Sequence, residues 1–473
     1  MRVRQFVDDG LGNSAHLVIS ERTRTAAMID QLRDVDRYLD AAADEGVRIT
    51  HVFETHLHND FVTGSRELAA RVGARIVASA AAELRFEHHP VRDGDAVIVG
   101  DLNISVLATP GHTPEHLSFL ARDTSASVDP PVLFSGGSLL VGAVSRTDLL
   151  GHEHATGLAH ELYRSLHEKI LPLGDKVAVY PTHGAGSFCT AAPGAARSTT
   201  IGLERRTNPL VLLGSRDAFA DAVLTSMPSY PTYFHHMRGL NQRGPRVLGG
   251  LPTLAPLSPA EVQQRQARGE AIVDLRPVAQ YVAGHIPGVY HVELRPAFAS
   301  WVGWVVPFGS PLVLVSPGST AHQEAVRQLI RIGYDRLSGY LEGGMAAWRQ
   351  AGLAVRLIPV LRVGEVRDRL RGGEPLVVLD VRQDHEWAGG HIPGARHAEA
   401  GALTGGNGGK IPIDRPIATY CGHEARSSTA LSLLERRGHR DLALIAGGFE
   451  AWSQAGFPLE PPAATQSGVS SSR

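Results

Sequence analysis

The chain has 473 residues, too long for one hydrophobic core, which points to about three domains. Hydrophobic residues make up 43% and charged residues 20%, the balance of a packed globular protein rather than a disordered one. A net charge of -2 gives no electrostatic case for nucleic acid or an anionic surface, and no apolar run approaches the ~20 residues of a membrane span. The opening MRVRQFVDDG has no signal-like apolar stretch, so the expected compartment is the cytoplasm. Two cysteines, Cys189 and Cys421, exclude a disulfide scaffold.

In chain order, short β-type runs at 15–19 and 26–29 precede a helix near 35–45, which Gly46 can end. A strand at 49–53 runs into THLHNDF, and a helix at 65–72 stops at Gly73. Further β-type runs at 96–99, 104–107, 117–120, 132–134 and 177–180 predict two sheets covered by helices. Residues 205–252, rich in Pro, Gly and Arg, read as a closing helix and a linker.

Beyond this point the chain repeats itself. IVDLRPVAQYVAGHIPGV (272–289) recurs as VLDVRQDHEWAGGHIPGA (378–395), matching Asp274 to Asp380 and His285 to His391. LEGGMAAWRQAGL (341–353) recurs as IAGGFEAWSQAGF (445–457), matching Trp348 to Trp452. Each repeat alternates apolar strands with helical segments, the pattern of a parallel sheet with helices on both faces. The expected domains are 1–240, 253–358 and 359–460, with a polar tail at 461–473 expected to be disordered.

Two constellations carry chemistry. His56, His58 and Asp60 follow the strand at 49–53; His112 lies in TPGHTPEH after another β-run, and His183 in YPTHGAG after a third. Three histidine-bearing loops at strand ends are what an imidazole-rich metal site needs. His56, His58 and His112 form the expected three-nitrogen set, with Asp60 or His183 completing it around one ion, iron(II) or zinc. In the second repeat, Cys421 of CGHEARSS joins a buried strand to a helix start. Backbone N–H groups and the helix dipole there favour negative charge on sulfur, and Arg426 adds a permanent positive charge. The expectation is a nucleophilic Cys421. The matching loop of the first repeat, Ser316-Pro317-Gly318-Ser319, has no cysteine, and Pro317 is read in the nucleophile's place, so that repeat is expected to be silent. Cys189 reads as a buried structural thiol.

ETHLHNDFVTG (54–64), LATPGHTPEHLSF (107–119), FSGGSLLVGAVSRTDLLG (134–151) and YPTHGAG (180–186) resemble the metallo-β-lactamase superfamily, and within it the persulfide dioxygenases fused to rhodanese domains. VLDVRQDHEWAGGHIPGA, CGHEARS and AGGFEAW resemble rhodanese. The resemblance implies an α/β multidomain protein: an αββα sandwich with a metal at one edge, then two parallel-sheet rhodanese-like domains. It implies a metal-dependent, persulfide-processing domain coupled to a sulfurtransferase in which Cys421 carries sulfane sulfur. Asp380, Arg382 and His391 match the structural signature of the rhodanese family. The expected small-molecule partners are a low-molecular-weight thiol persulfide or thiosulfate, with further copies of the chain in a homo-oligomer and no nucleic acid or membrane. The alternatives are a zinc-dependent thioester hydrolase of the glyoxalase II type, and a non-catalytic metal domain with Cys421 as sulfur carrier or sensor.

Two positions depart from the resembled pattern. Phe61 stands where the family motif ends in histidine, and Gly137 where the family has a metal-binding aspartate. The loss of that carboxylate predicts loose iron and slow persulfide oxidation, and Gly137→Asp is expected to tighten iron if the loop admits the side chain.

Overall fold

The structure, a computed structural model, describes residues 1–125, 130–190, 196–405 and 411–460; the tail at 461–473 lies outside them. Among the described residues no helix is long and apolar enough to cross a membrane. The chain divides into two compact units, one of Met1–Thr253 with Arg295–Gly309 and Gln323–Arg336, the other of Leu254–Leu294, Ser310–His322 and the remainder.

The first unit opens with β1 (Arg2–Asp8), β2 (Asn13–Ser20), β3 (Thr25–Ile29), α1 (Asp36–Asp44), β4 (Arg48–Phe53), α2 (Ser65–Val72), β5 (Arg75–Ser79) and β6 (His89–Val91). The six strands form one sheet in sequence order. Side chains alternate across a strand, so β2, buried along its whole length, and β3, buried over 26–29, must be covered on both faces. Val18, Ala27 and Ile29 enter one cluster with Phe53 and Val77, while Leu17, Ile19, Ala26 and Met28 enter another with Tyr38 and Ala42 of α1 and Leu68 of α2. The sheet therefore has helices on one side and something else on the other.

That other layer is a second sheet: β7 (Ala96–Val99), β8 (Leu102–Ala108), β9 (Leu117–Asp123), β10 (Val132–Gly136), β11 (Ala178–Pro181) and β12 (Thr199–Thr200), in the order β12-β11-β10-β9-β8-β7. Val99, Ile104, Val106, Phe119 and Phe134 face the first sheet across the inner core. On its outer face, Leu120, Leu133 and Val179 pack with α3 (His152–Arg164) and its π-helical continuation Ser165–Ile170, α4 (Ile201–Thr207) and α5 (Arg216–Ser226). The result is the four-layer αββα sandwich that the resemblance implies. Helix α3 is an addition to the expected elements, although Ala155, Ala159, Leu162 and Leu166 recur at helical spacing and are buried. In place of one closing helix and a linker over 205–252, the chain forms α5 and then α6 (Phe234–Arg243). Single glycines and prolines marked the gaps between these short helices and hid the helices themselves.

The same unit includes helix Phe298–Val305 and most of helix Ser319–Arg331, which the repeat pattern assigns to the third quarter of the chain. Arg331 is the anchor. Its guanidinium lies 2.5 and 2.7 Å from the Asp34 carboxylate and donates to Asp8, and its carbonyl accepts the Val62 amide at 2.6 Å. Burial works against the charge, but Asp34 and Asp8 overcome it and hold the guanidinium above its ordinary pKa.

In the second unit each repeat forms a five-stranded parallel sheet. The first runs Pro256–Leu257, Leu337–Leu341, Leu312–Val315, Ala271–Asp274, Tyr290–His291; the second runs Val360–Leu361, Leu442–Ile445, Ile417–Tyr420, Val377–Asp380, Arg396–His397. Asp274 pairs with Val315 and Asp380 with Tyr420, so the residues that follow, Ser316 and Cys421, are equivalent. Ser316, and not Pro317, therefore occupies the nucleophile's place in the first repeat; the loops differ in length, and only strand register aligns them. The shared signature residues act in the backbone frame. Arg276 pairs with Asp274 and donates to the Gly284 carbonyl, and Arg382 pairs with Asp380 and donates to the Gly390 carbonyl. Within this unit, His285 Nε2 lies 2.9 Å from Glu435 of the second repeat's helix Ala425–Arg436.

Removing the Arg331 guanidinium would leave the buried Asp8 without its arginine and Asp34 with only the more distant Arg37 and Arg327, at 3.8 and 3.9 Å. Arg331→Ala is expected to lower stability by about 3–5 kcal/mol, read as a shift of the denaturant midpoint. An unchanged midpoint would show that the pair is dispensable.

Candidate functional site

At the end of β3 the chain passes through Asp30, whose φ of 52° is left-handed, a costly geometry for a residue with a side chain. The buried carboxylate accepts the Thr55 amide at 2.8 Å, the Thr55 hydroxyl at 2.7 Å, and the Thr182 hydroxyl. This fixes the loop after β4. Because the single Thr55 proton goes to Asp30, the hydroxyl must accept from His56 Nδ1 at 2.8 Å, which leaves a lone pair on His56 Nε2.

The same reasoning settles two more imidazoles. His112 Nδ1 lies 2.7 Å from the Arg146 carbonyl, which can only accept, so His112 Nε2 carries a lone pair; that buried atom has no hydrogen-bond partner. His183 Nδ1 donates to Asn13 Oδ1 at 2.9 Å, again leaving the lone pair on Nε2. His183 Nε2 and His56 Nε2 then face each other at 3.4 Å, two acceptors with no proton between them. Burial, followed by the neighbouring imidazoles, pushes both His56 and His112 well below the ordinary histidine range, so neither is protonated at neutral pH. Ring centroids of His56, His112 and His183 lie 4.8–5.4 Å apart.

The other expected ligands sit differently. His58 points Nε2 at Asp30 and Glu54, each 3.3 Å away, and its ring stacks on Phe61 at 4.0 Å. Burial opposes its charge, but Asp30 and Glu54 raise it to about 10, so it is an imidazolium in this arrangement. Asp60 lies behind His183, on the Nδ1 side at 3.4 Å, and also accepts from Asn13 at 2.7 Å. It orients the imidazole from outside. The structure thus brings His56, His112 and His183 together; His58 keeps a buried, unpartnered Nδ1 in a set with His56 and His183 while its Nε2 faces the two carboxylates, and Asp60 backs His183. Among the described residues, three overlapping sets place their ligand atoms within 4.8 Å of one another: His56, His58 and His183; His112, His183 and Cys189; and Asp30, Glu54 and His58.

Several residues that hold the site left no mark in the sequence. Asn241 of α6 donates to the carbonyls of His58 and Phe61 and accepts the Thr63 amide, and Tyr233 donates to the Asp60 carbonyl. Arg238 of the same helix grips Glu115 at 2.9 and 3.0 Å, and Glu115 accepts the Leu57 amide. His116 accepts the Gly137 amide at 2.9 Å. A side chain at Gly137 would put Cβ 2.5 Å from Cδ2 of His112. The condition set on Gly137→Asp, that the loop admit the side chain, is not met in this arrangement: His112, tied to Arg146, fills the space.

In the second unit Cys421 is buried at the end of its strand, and its carbonyl accepts the Phe449 amide at 2.7 Å. Gly448 has φ +58°, and a Cβ there would come within 2.3 and 2.4 Å of the His423 and Cys421 carbonyls, so only glycine lets the AGG loop close over the CGHEAR loop. Arg426 is paired with the Glu386 carboxylate, one contact being 2.8 Å. Burial lowers its pKa, and Glu386 and Cys421 outweigh that and raise it.

A model of the rhodanese-like domain matches residues 258–351 and 363–455. The mitochondrial persulfide dioxygenase ETHE1 of Homo sapiens is 29% identical over 217 residues, 46% of this chain and 78% of that one. A hydroxyacylglutathione hydrolase-like protein of Mus musculus is 31% identical over 36% of this chain and 57% of its own. The crystal structure of a metallo-beta-lactamase from Staphylococcus aureus subsp. aureus COL is 32% identical with a TM-score of 0.65, covering 72% of this chain and 98% of that one.

At Gly137 the space a side chain would need is taken by the His112 ring. Gly137→Asp is expected to displace the His112 ring and weaken metal retention, on the order of tenfold or more, measured by competition with a chelator. Tighter metal in that variant would show that the loop relaxes to admit the carboxylate.

Proposed function

The chain belongs to the metallo-β-lactamase family, with a persulfide dioxygenase-like domain and two rhodanese-like domains, and from that premise we propose that it couples metal-dependent persulfide oxidation to sulfur transfer on Cys421. The observation that carries the metal centre is the pair of facing acceptors, His56 Nε2 and His183 Nε2 at 3.4 Å, beside the unpartnered His112 Nε2. Three imidazoles whose Nε2 atoms converge in a buried site want a cation, and nitrogen donors suit iron(II) or zinc. One ion per chain fits the arrangement, because Phe61 replaces a histidine and His58 is engaged by two carboxylates.

Iron(II) held there would supply the redox chemistry that adds dioxygen to a persulfide, and zinc would supply Lewis acidity alone. The chain's own groups do the rest. Thr55, the Arg146 carbonyl and Asn13 fix the three tautomers, Asp60 backs His183, and burial excludes bulk water. At the second site the Cys421 thiolate attacks the outer sulfur of thiosulfate. The S–S bond breaks, sulfite leaves with the bonding pair, and Cys421 keeps the sulfur as a persulfide. Arg426, held by Glu386, places positive charge beside the anion. A low-molecular-weight thiol persulfide is the substrate common to both sites.

Metal analysis and two activity assays test this reading. Purified protein is expected to hold one metal per chain, and His56→Ala with His112→Ala to hold none. Thiosulfate:acceptor transfer is expected to vanish in Cys421→Ser and to survive in Cys189→Ser. Stoichiometric metal in the double histidine variant, or undiminished transfer without Cys421, would overturn the corresponding half.

A further inference from the structure

We propose that Cys189 is a ligand of the metal centre, its thiolate standing in for the carboxylate that Gly137 cannot provide. This rests on the metal reading above and adds to it a donor of a different chemical kind. Cys189 Sγ lies in a buried set with His112 and His183, each offering a ligand atom within 4.8 Å of the other two. The independent sign of a missing ion is His112 Nε2, fully buried and without a hydrogen-bond partner.

The placement of the thiol is built in. Arg146 donates its amide to the Cys189 carbonyl at 2.9 Å and accepts His112 Nδ1 on its own carbonyl at 2.7 Å, so one residue holds both donors. Its guanidinium also binds the carbonyls of Phe188 at 2.9 Å and Pro228 at 3.0 Å, which pins the segment that carries Cys189. On the opposite side, Gly137 offers no donor, and the His112 ring occupies the space a side chain would need. An anionic ligand must therefore come from elsewhere, and Cys189 is the thiol within reach.

On binding, the S–H proton passes to solvent and a sulfur–metal bond forms, restoring the single negative charge that the glycine removes. Sulfur is softer than a carboxylate oxygen, so a His-His-Cys set shifts preference toward zinc relative to a His-His-carboxylate set. Cys189 thus bears on which metal the chain retains, while Cys421 bears on sulfur transfer.

Cobalt(II) substitution tests the proposal by spectroscopy, apart from activity. The Cys421→Ser protein retains one thiol, since the chain has two cysteines. Loaded with one cobalt per chain, it is expected to show a near-ultraviolet sulfur-to-cobalt charge-transfer band. Cys189→Ser in that background is expected to lose the band, keep the visible cobalt bands, and bind the metal on the order of ten- to a hundredfold more weakly. If the second variant fails to fold, the spectrum of Cys421→Ser alone decides. Stoichiometric cobalt without the band, or a band that survives in the double variant, overturns the thiolate ligand and leaves the metal centre standing. No bound cobalt in Cys421→Ser overturns both.

Discussion

Asp30 carries a negative charge in the interior, and a charge there persists only where its surroundings donate to it. Burial opposes the ionised form, but His58, Thr182 and Thr55 together hold the carboxyl well below its usual range. From that one group the orientation of the site follows by elimination of protons. Thr55 gives its hydrogen to Asp30, so it must accept from His56; Thr182 gives its hydrogen to Asp30 directly before His183. Neutralising Asp30 would free Thr55 to turn around, and His56 could then present a proton where a lone pair is needed. The left-handed backbone at Asp30 fits this account, because strain is tolerated where neighbours over-determine a conformation.

What was legible in the sequence was the position of elements that obey a period and of residues that obey a motif. The strands and the helix ended by Gly73 stand within a few residues of their expected places, and the three histidine loops do meet. What was hidden was direction. H-x-H spacing says that two imidazoles leave the same loop, yet Asp30 and Glu54, which are distant or unremarkable in sequence, decide which nitrogen of His58 remains for His56 and His183 by engaging its Nε2. Asn241 could not be found either, since its role is to satisfy loop carbonyls, and no side-chain pattern announces which carbonyls lack donors.

The two repeats share a frame and differ around the loop that follows the third strand of each sheet. Asp274–Arg276 and Asp380–Arg382 tie the same strand end to the same turn, so both frames stand without reference to the thiol. Ser316 and Cys421 follow paired registers, and Glu386 holds Arg426 only in the second repeat, where Gln280 takes the corresponding place in the first. The scaffold of the first repeat thus stands without a cysteine at that place.

Arg331, within the first repeat, belongs to the histidine-bearing unit. Its carbonyl holds the Val62 amide, next to the His58–Phe61 turn, and its guanidinium satisfies Asp8 and Asp34. Cutting the chain at the boundary the repeat suggests would strip Asp8 and Asp34 of Arg331 and the Val62 amide of its acceptor, so the histidine-bearing unit cannot be excised there whole. The seam of the repeat in sequence is not the seam of the fold.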